Sequence, residues 1–145
     1  MQWDLPKPFI YSFTVNEQSL DHYGHVNNAD YLRFTEEVSW QHSASLGLTF
    51  DDYQRLNKAL VVTRNEVDYL APAYLNEQLE LATWITSYDG RFKVSRQFQL
   101  INPATNKTLM RAITWFACVT LDKGKPCRLP KEFNAIYAPA VVKAE

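Results

Sequence analysis

Apolar and polar positions alternate from Phe9 to Val15, with Phe9, Tyr11, Phe13 and Val15 on one face, and this period of two predicts a first strand. A polar stretch follows, from Asn16 to Gly24. From about Asn28 to Leu46 there is neither proline nor glycine, and Gly47 supplies a stop just past the end of a helix. Tyr31, Phe34, Val38 and Ser45 fall along one side at helical spacing. Leu32, Trp40 and Ala44 widen the arc, so the helix is expected to be enclosed on more than one side. Asn27 or Asn28 supplies the cap, and Asp30 suits the positive end of the helix dipole. Phe50 to Asn57 suggests a second, short helix.

Four strands are expected after it. Leu60 to Leu70 places Val61, Thr63, Asn65, Val67 and Tyr69 on one side. Leu79 to Tyr88 and Phe92 to Ile101 flank Asp89-Gly90, a strong hairpin signal. Leu109 to Leu121 is apolar on both faces, which predicts a central strand that meets a second sheet or subunit. Asn102-Pro103 and Asp122-Lys123-Gly124 mark turns. A strand, a long helix and four antiparallel strands make an α+β protein. The simplest packing wraps one five-stranded sheet around one helix, as a single domain over residues 1–145.

Composition removes several function classes. Fifteen Lys and Arg against sixteen Asp and Glu leave a formal charge of −1, without the basic excess a nucleic-acid surface needs. No run of 18 apolar residues suggests a membrane span, and the first residues lack a secretory pattern. Cys118 lies in an apolar strand and Cys127 in a Lys/Pro/Arg loop, with no Cys/His cluster at ligand spacing. These features point to a reduced, cytoplasmic, metal-free protein.

The chemistry concentrates between Asp21 and Phe34. A carboxylate, a glycine turn, an imidazole at His25 and a helix start lie within eight residues. Unpaired N–H groups at a helix N-terminus can polarise a carbonyl and stabilise an oxyanion. Asp21, across Gly24, could activate water or attack directly. The same residues also suit a plain turn and cap, with Asp21 and Asn27 bonding locally and His25 at the surface.

The run Asp21-x-x-Gly24-His25-Val26-Asn27-Asn28-Ala29-x-Tyr31-Leu32-x-Phe34 resembles the signature of the 4-hydroxybenzoyl-CoA thioesterase family, acyl-CoA thioesterases of the hotdog fold. Val67-Asp68-Tyr69-Leu70-Ala71-Pro72-Ala73 resembles that family's second strand and its exit, and Lys125-Pro126-Cys127-Arg128-Leu129-Pro130 resembles its closing loop. The resemblance runs from about Phe9 to Phe133. It implies a helix enclosed by a curved antiparallel sheet, and a homodimer, or a dimer of dimers, with active sites at the subunit interface. It implies acyl-CoA hydrolysis without a metal or redox cofactor. Asp21 matches the family carboxylate, Asn28 the backbone N–H that polarises the thioester, and His25 and Asn27 polar positions that vary among branches. Tyr31, in the same run, joins the substrate-binding set. Many relatives carry a second acid two residues before the first; Ser19 stands there in this chain.

A CoA ligand gives the basic residues a purpose. Arg91, Lys93 and Arg96 begin one strand, and Lys123, Lys125, Arg128 and Lys131 follow the last one. All are candidates for phosphate contacts at the mouth of the site, against the alternative of a solvated surface. The acyl chain is expected in an apolar tunnel beside the helix. An acyl-carrier-protein thioesterase, a hotdog hydratase and a non-catalytic acyl-CoA-binding dimer are the rival functions.

Overall fold

The computed structural model describes residues 2–143. The elements are β1 (Phe9–Thr14), α1 (Asn28–Leu46), α2 (Phe50–Arg55), β2 (Lys58–Tyr69), β3 (Gln78–Tyr88), β4 (Lys93–Asn102), β5 (Lys107–Thr120) and α3 (Lys131–Ala140). The strands form one antiparallel sheet in the order β1-β3-β4-β5-β2, and α1 packs against its inner face. This is the expected α+β hotdog architecture. β4 rather than β5 is the middle strand, and β5 lies between β4 and β2.

Local chemistry explains the boundaries. The Asn27 side chain accepts from the Ala29 N–H at 3.0 Å and starts α1. Gly47 ends it with φ of 105°, a left-handed conformation that a side chain would strain. Asp89 accepts from the N–H groups of Arg91, Phe92 and Lys93 at 2.8, 2.8 and 3.0 Å, so the β3–β4 turn closes around one carboxylate. Those donors hold the Asp89 carboxyl below its ordinary value, against the opposing effect of burial.

The face that α1 buries is narrower and more polar than its spacing suggests. Tyr31, Thr35, Val38 and Ser43 are buried, while Trp40, Ala44 and Ser45 lie on the exposed side. Thr35 and Ser39 satisfy their hydroxyls on helix carbonyls at 2.7 Å, which lets polar side chains face the sheet. One core cluster joins Tyr31 and Val38 to Leu81, Phe98, Leu100 and Met110. Burying one such aliphatic side chain contributes about 1.5–3 kcal/mol. A second cluster forms where α2 and α3 meet the far end of the sheet, around Tyr53, Ile85, Phe133 and Tyr137.

The outer face carries a strap made by the chain's own N-terminus. Asp4 pairs with Arg111 at 2.6 Å, Leu5 packs against Trp84, and the Trp84 indole N–H donates to the Pro6 carbonyl at 2.9 Å. Among the described residues no helix is long and apolar enough to cross a membrane.

Candidate active site

Asp21 sits at the mouth of a closed loop. Leu20 and Val26 bridge its ends, the Asp21 N–H donates to the His25 carbonyl at 2.7 Å, and Gly24 turns the chain at φ of 78°. One carboxylate oxygen, Oδ1, accepts from the N–H groups of Tyr23 and His25 at 2.9 and 3.1 Å. The local turn bonding therefore exists, and it uses only one oxygen. Oδ2 makes no hydrogen bond within the chain among the described residues, and Asp21 is half-buried.

The helix start lies at the other end of this loop. The Asn27 N–H donates to the Ser19 carbonyl at 2.7 Å and the Val26 N–H to the Ala73 carbonyl at 2.9 Å, which fixes where α1 begins. The Ala29 N–H is taken by the Asn27 side chain and the Asp30 N–H by the Asn27 carbonyl, whereas the Asn28 N–H has no acceptor in the chain among the described residues. The Asn28 carbonyl accepts from the Tyr69 hydroxyl at 3.2 Å. His25 bridges to Tyr74 through the backbone and sets its ring edge-on to that phenol at 5.1 Å.

Tyr31, expected in the substrate-binding set, is buried beneath the loop. It is 3% exposed, packed against Tyr69 and Phe34 under the loop. Burial pushes its phenol above the ordinary value, opposed by a hydrogen bond with the Ala73 backbone and reinforced by Tyr69, Glu77 and Asp21.

The basic residues divide. Arg91, Lys93, Lys125 and Arg128 are exposed, and the Leu129 N–H donates to the Arg91 carbonyl at 2.7 Å, so the β3–β4 turn and the closing loop form one basic rim. That rim lies at the opposite end of the sheet from Asp21. Met110 pairs with Tyr69 near the helix start, Cys118 pairs with Leu60, and the strand between them spans about 26 Å. Within one chain the rim is therefore not at the mouth of the Asp21 site. Arg96 leaves the surface set altogether. Its side chain faces inward from β4 and is 4% exposed. It donates to His42 Nδ1 at 2.8 Å, Ser43 Oγ at 3.0 Å and the Ser39 carbonyl at 3.4 Å.

A cavity of about 390 Å³ opens between α1, α2 and the inner face of β2, β4 and β5. Its walls include Leu32, Trp40, Leu60, Val62 and Phe116, and Arg96 lies on it. Asp21, His25, Asn27 and Asn28 do not line it. It begins at Leu32, one helical turn beyond Asn28.

A carboxylate at a helix start beside a largely apolar cavity is the arrangement a thioester carbonyl and its acyl chain would need. Comparison with known proteins agrees. Residues 15–136 match the model of the thioesterase-like superfamily. The chain belongs to that superfamily. The long-chain acyl-CoA thioesterase FadM of Escherichia coli strain K12 is 32% identical over 83% of this chain and 89% of its own. The acyl-CoA thioester hydrolase YbgC of Escherichia coli O6:H1 is 33% identical over 89% of this chain and 95% of its own. In fold, the chain superposes with a TM-score of 0.80 on the 1,4-dihydroxy-2-naphthoyl-CoA thioesterase Slr0204 of Synechocystis, at 21% identity over 91% of this chain and 96% of that one.

For a thioesterase-like chain, three features escaped the sequence. Tyr69 and Tyr74 brace the loop from the β2–β3 connection, and only their place near Ala71-Pro72-Ala73 hinted at it. The polar group around Arg96 joins residues from α1, α2, β4 and α3, a long-range association with no local signal. The third is α3, which the sequence reading missed although its signals are local: Pro130 precedes it, Glu132 lies in its first turn, and Phe133, Ile136, Tyr137 and Ala140 repeat at helical spacing.

Proposed function

We propose that the chain hydrolyses acyl-CoA thioesters to a free acid and CoA, with Asp21 and the Asn28 N–H as its reacting pair. The observation that carries the residue roles is the loop between them. One carboxylate oxygen is anchored by two N–H groups while the other is open, and the loop ends beside an unpaired N–H at a helix start. The Asn28 N–H and the helix dipole polarise the thioester carbonyl and receive the developing oxyanion. Asp21 Oδ2 takes a proton from water as it attacks, or attacks the carbonyl itself. The C–S bond then breaks and the CoA thiolate leaves, taking up a proton; on the direct-attack route water next cleaves the acyl–Asp21 anhydride, releasing the free acid and restoring the carboxylate. Asn27 positions the helix start, and His25 holds the loop against Tyr74. FadM and YbgC, both named for acyl-CoA, support CoA over a carrier protein as the carrier of the acyl group.

The working unit in this reading is a homodimer joined along β2. That strand pairs with β5 on one side and has an open edge on the other. Two open edges joined across a two-fold axis run antiparallel, which sets one subunit's basic rim beside the other's Asp21. Arg91, Lys93, Lys125 and Arg128 then contact the phosphates of CoA bound at the partner's carboxylate.

Asp21→Asn should lower kcat at least about 10²-fold while circular dichroism and thermal unfolding stay unchanged. Near wild-type turnover in a folded variant would remove Asp21 from the mechanism. Label found in the Asp21 carboxylate after single-turnover hydrolysis in ¹⁸O-water would identify direct attack, with water opening the anhydride at the Asp21 carbonyl.

A further inference from the structure

Arg96 is a buried cation with no anion beside it. It is 4% exposed, and no carboxylate lies within ion-pair distance among the described residues. Its neighbours are neutral acceptors. Burial, and then the charge of Arg96, lower the His42 imidazole to about 4, so it is uncharged at neutral pH. The Tyr53 hydroxyl meets the Tyr137 hydroxyl, which also bonds Ser43 Oγ at 2.9 Å. Burial raises Tyr53 well above its ordinary range, so it stays a phenol. A guanidinium remains charged in such surroundings, and buried charges in proteins are ordinarily paired. This one instead lies on the wall of the cavity, where Lys58 adds a second cation and Glu36, on the exposed side of α1, the one acid.

We propose that the cavity is an acyl site whose Arg96 end receives a carboxylate, so that the preferred substrates are acyl-CoAs carrying a second, distal carboxylate. This rests on the thioester-hydrolase reading above. From Asn28 to Ser39 and Ser43, α1 rises about 16–22 Å. A thioester held at Asn28 therefore reaches Arg96 only through an extended chain of some length. From Leu32 onward the walls are largely apolar, with Thr35 and Glu36 part-way along α1, and the Ser43, Tyr53 and Tyr137 hydroxyls gather around Arg96. An ω-carboxylate there gains charge-assisted hydrogen bonds from the guanidinium, whereas an ω-methyl leaves the cation unpaired.

The test uses two series of acyl-CoAs of increasing length, one ending in methyl and one in carboxylate. At lengths that reach Arg96, the carboxylate series should have kcat/KM about 10-fold or more above the methyl series. Arg96→Met should abolish or invert the preference, and Arg96→Lys should retain part of it. Calorimetric binding of both series to the Asp21→Asn protein makes the same comparison without turnover. Hydrolysis of methyl-ended chains with no gain from a distal carboxylate at any length overturns this proposal and leaves the hydrolase reading standing. Loss of all hydrolysis overturns the hydrolase reading, and the binding comparison then decides the carboxylate site alone. Equal binding of the two series would overturn it, even if Arg96→Met fails to fold.

Discussion

Asp21 uses one oxygen to hold its own loop and leaves the other open, so in the proposed mechanism the same side chain is both a structural part and a reagent. His42 divides its functions differently: its ring stacks on Phe9 at 4.9 Å and accepts from Arg96. Its ionisation should register in stability. The folded value is lowered from 6.5 to about 4, so the unfolded chain binds the proton more readily between those limits. The contribution is complete above pH 6.5 and is lost as pH falls toward 4. Urea midpoints measured across that window should decline in the wild-type protein and decline less in His42→Gln. The exposed bases make a separate residue-scale prediction. Ala at Arg91, Lys93, Lys125 or Arg128 should raise KM for an acyl-CoA with little change in kcat, and leave the matching acyl-pantetheine unaffected. Added salt should shrink the difference, because these contacts are exposed. Of the residues read from sequence, Asp21, Asn27 and Asn28 lie together because one short loop places them. Arg96 went elsewhere because its side chain points inward, and clustering along a chain cannot show direction.

The strands were legible to within two residues because their alternation and turn chemistry are local. β2, expected over 60–70, spans Lys58–Tyr69, and the Asp89-Gly90 signal marks the β3–β4 turn. The helices were harder. On α1, the buried positions include Thr35 and Ser43, which a hydrophobicity pattern counts as surface. α3 packs Phe133 and Tyr137 against the far end of the sheet and closes the pocket that holds Arg96. Phe133 is fully buried. Phe133→Ala should therefore destabilise the protein by about 3–5 kcal/mol, read from urea denaturation. An effect below about 1 kcal/mol would mean that α3 is loosely docked.

At the scale of the molecule, the basic rim lies far from Asp21 in one chain, and the proposed function joins the two through a second subunit. Sedimentation should find a dimer with an interface of at least about 1,200 Å². Val62→Lys, at a half-exposed position on the open β2 strand, should weaken it. Mixed dimers give a sharper result. A dimer with one Asp21→Asn chain and one Arg128→Ala chain should keep about half of wild-type activity if each site draws on both subunits. It should keep little at low substrate if each site lies within one chain. The sequence held both halves of this arrangement but not their distance apart, which depends on how β5 crosses the sheet.

The strap on the outer face has a spectroscopic consequence. Trp84 is 1% exposed, and its indole is bonded to Pro6 and set edge-on to Trp3 at 6.3 Å. The first residues of the chain therefore keep water from one of the four tryptophans. If the strap lifts before the sheet melts, the emission of the protein shifts to the red while its circular dichroism is still native, and the fraying of the N-terminus becomes visible without any added label.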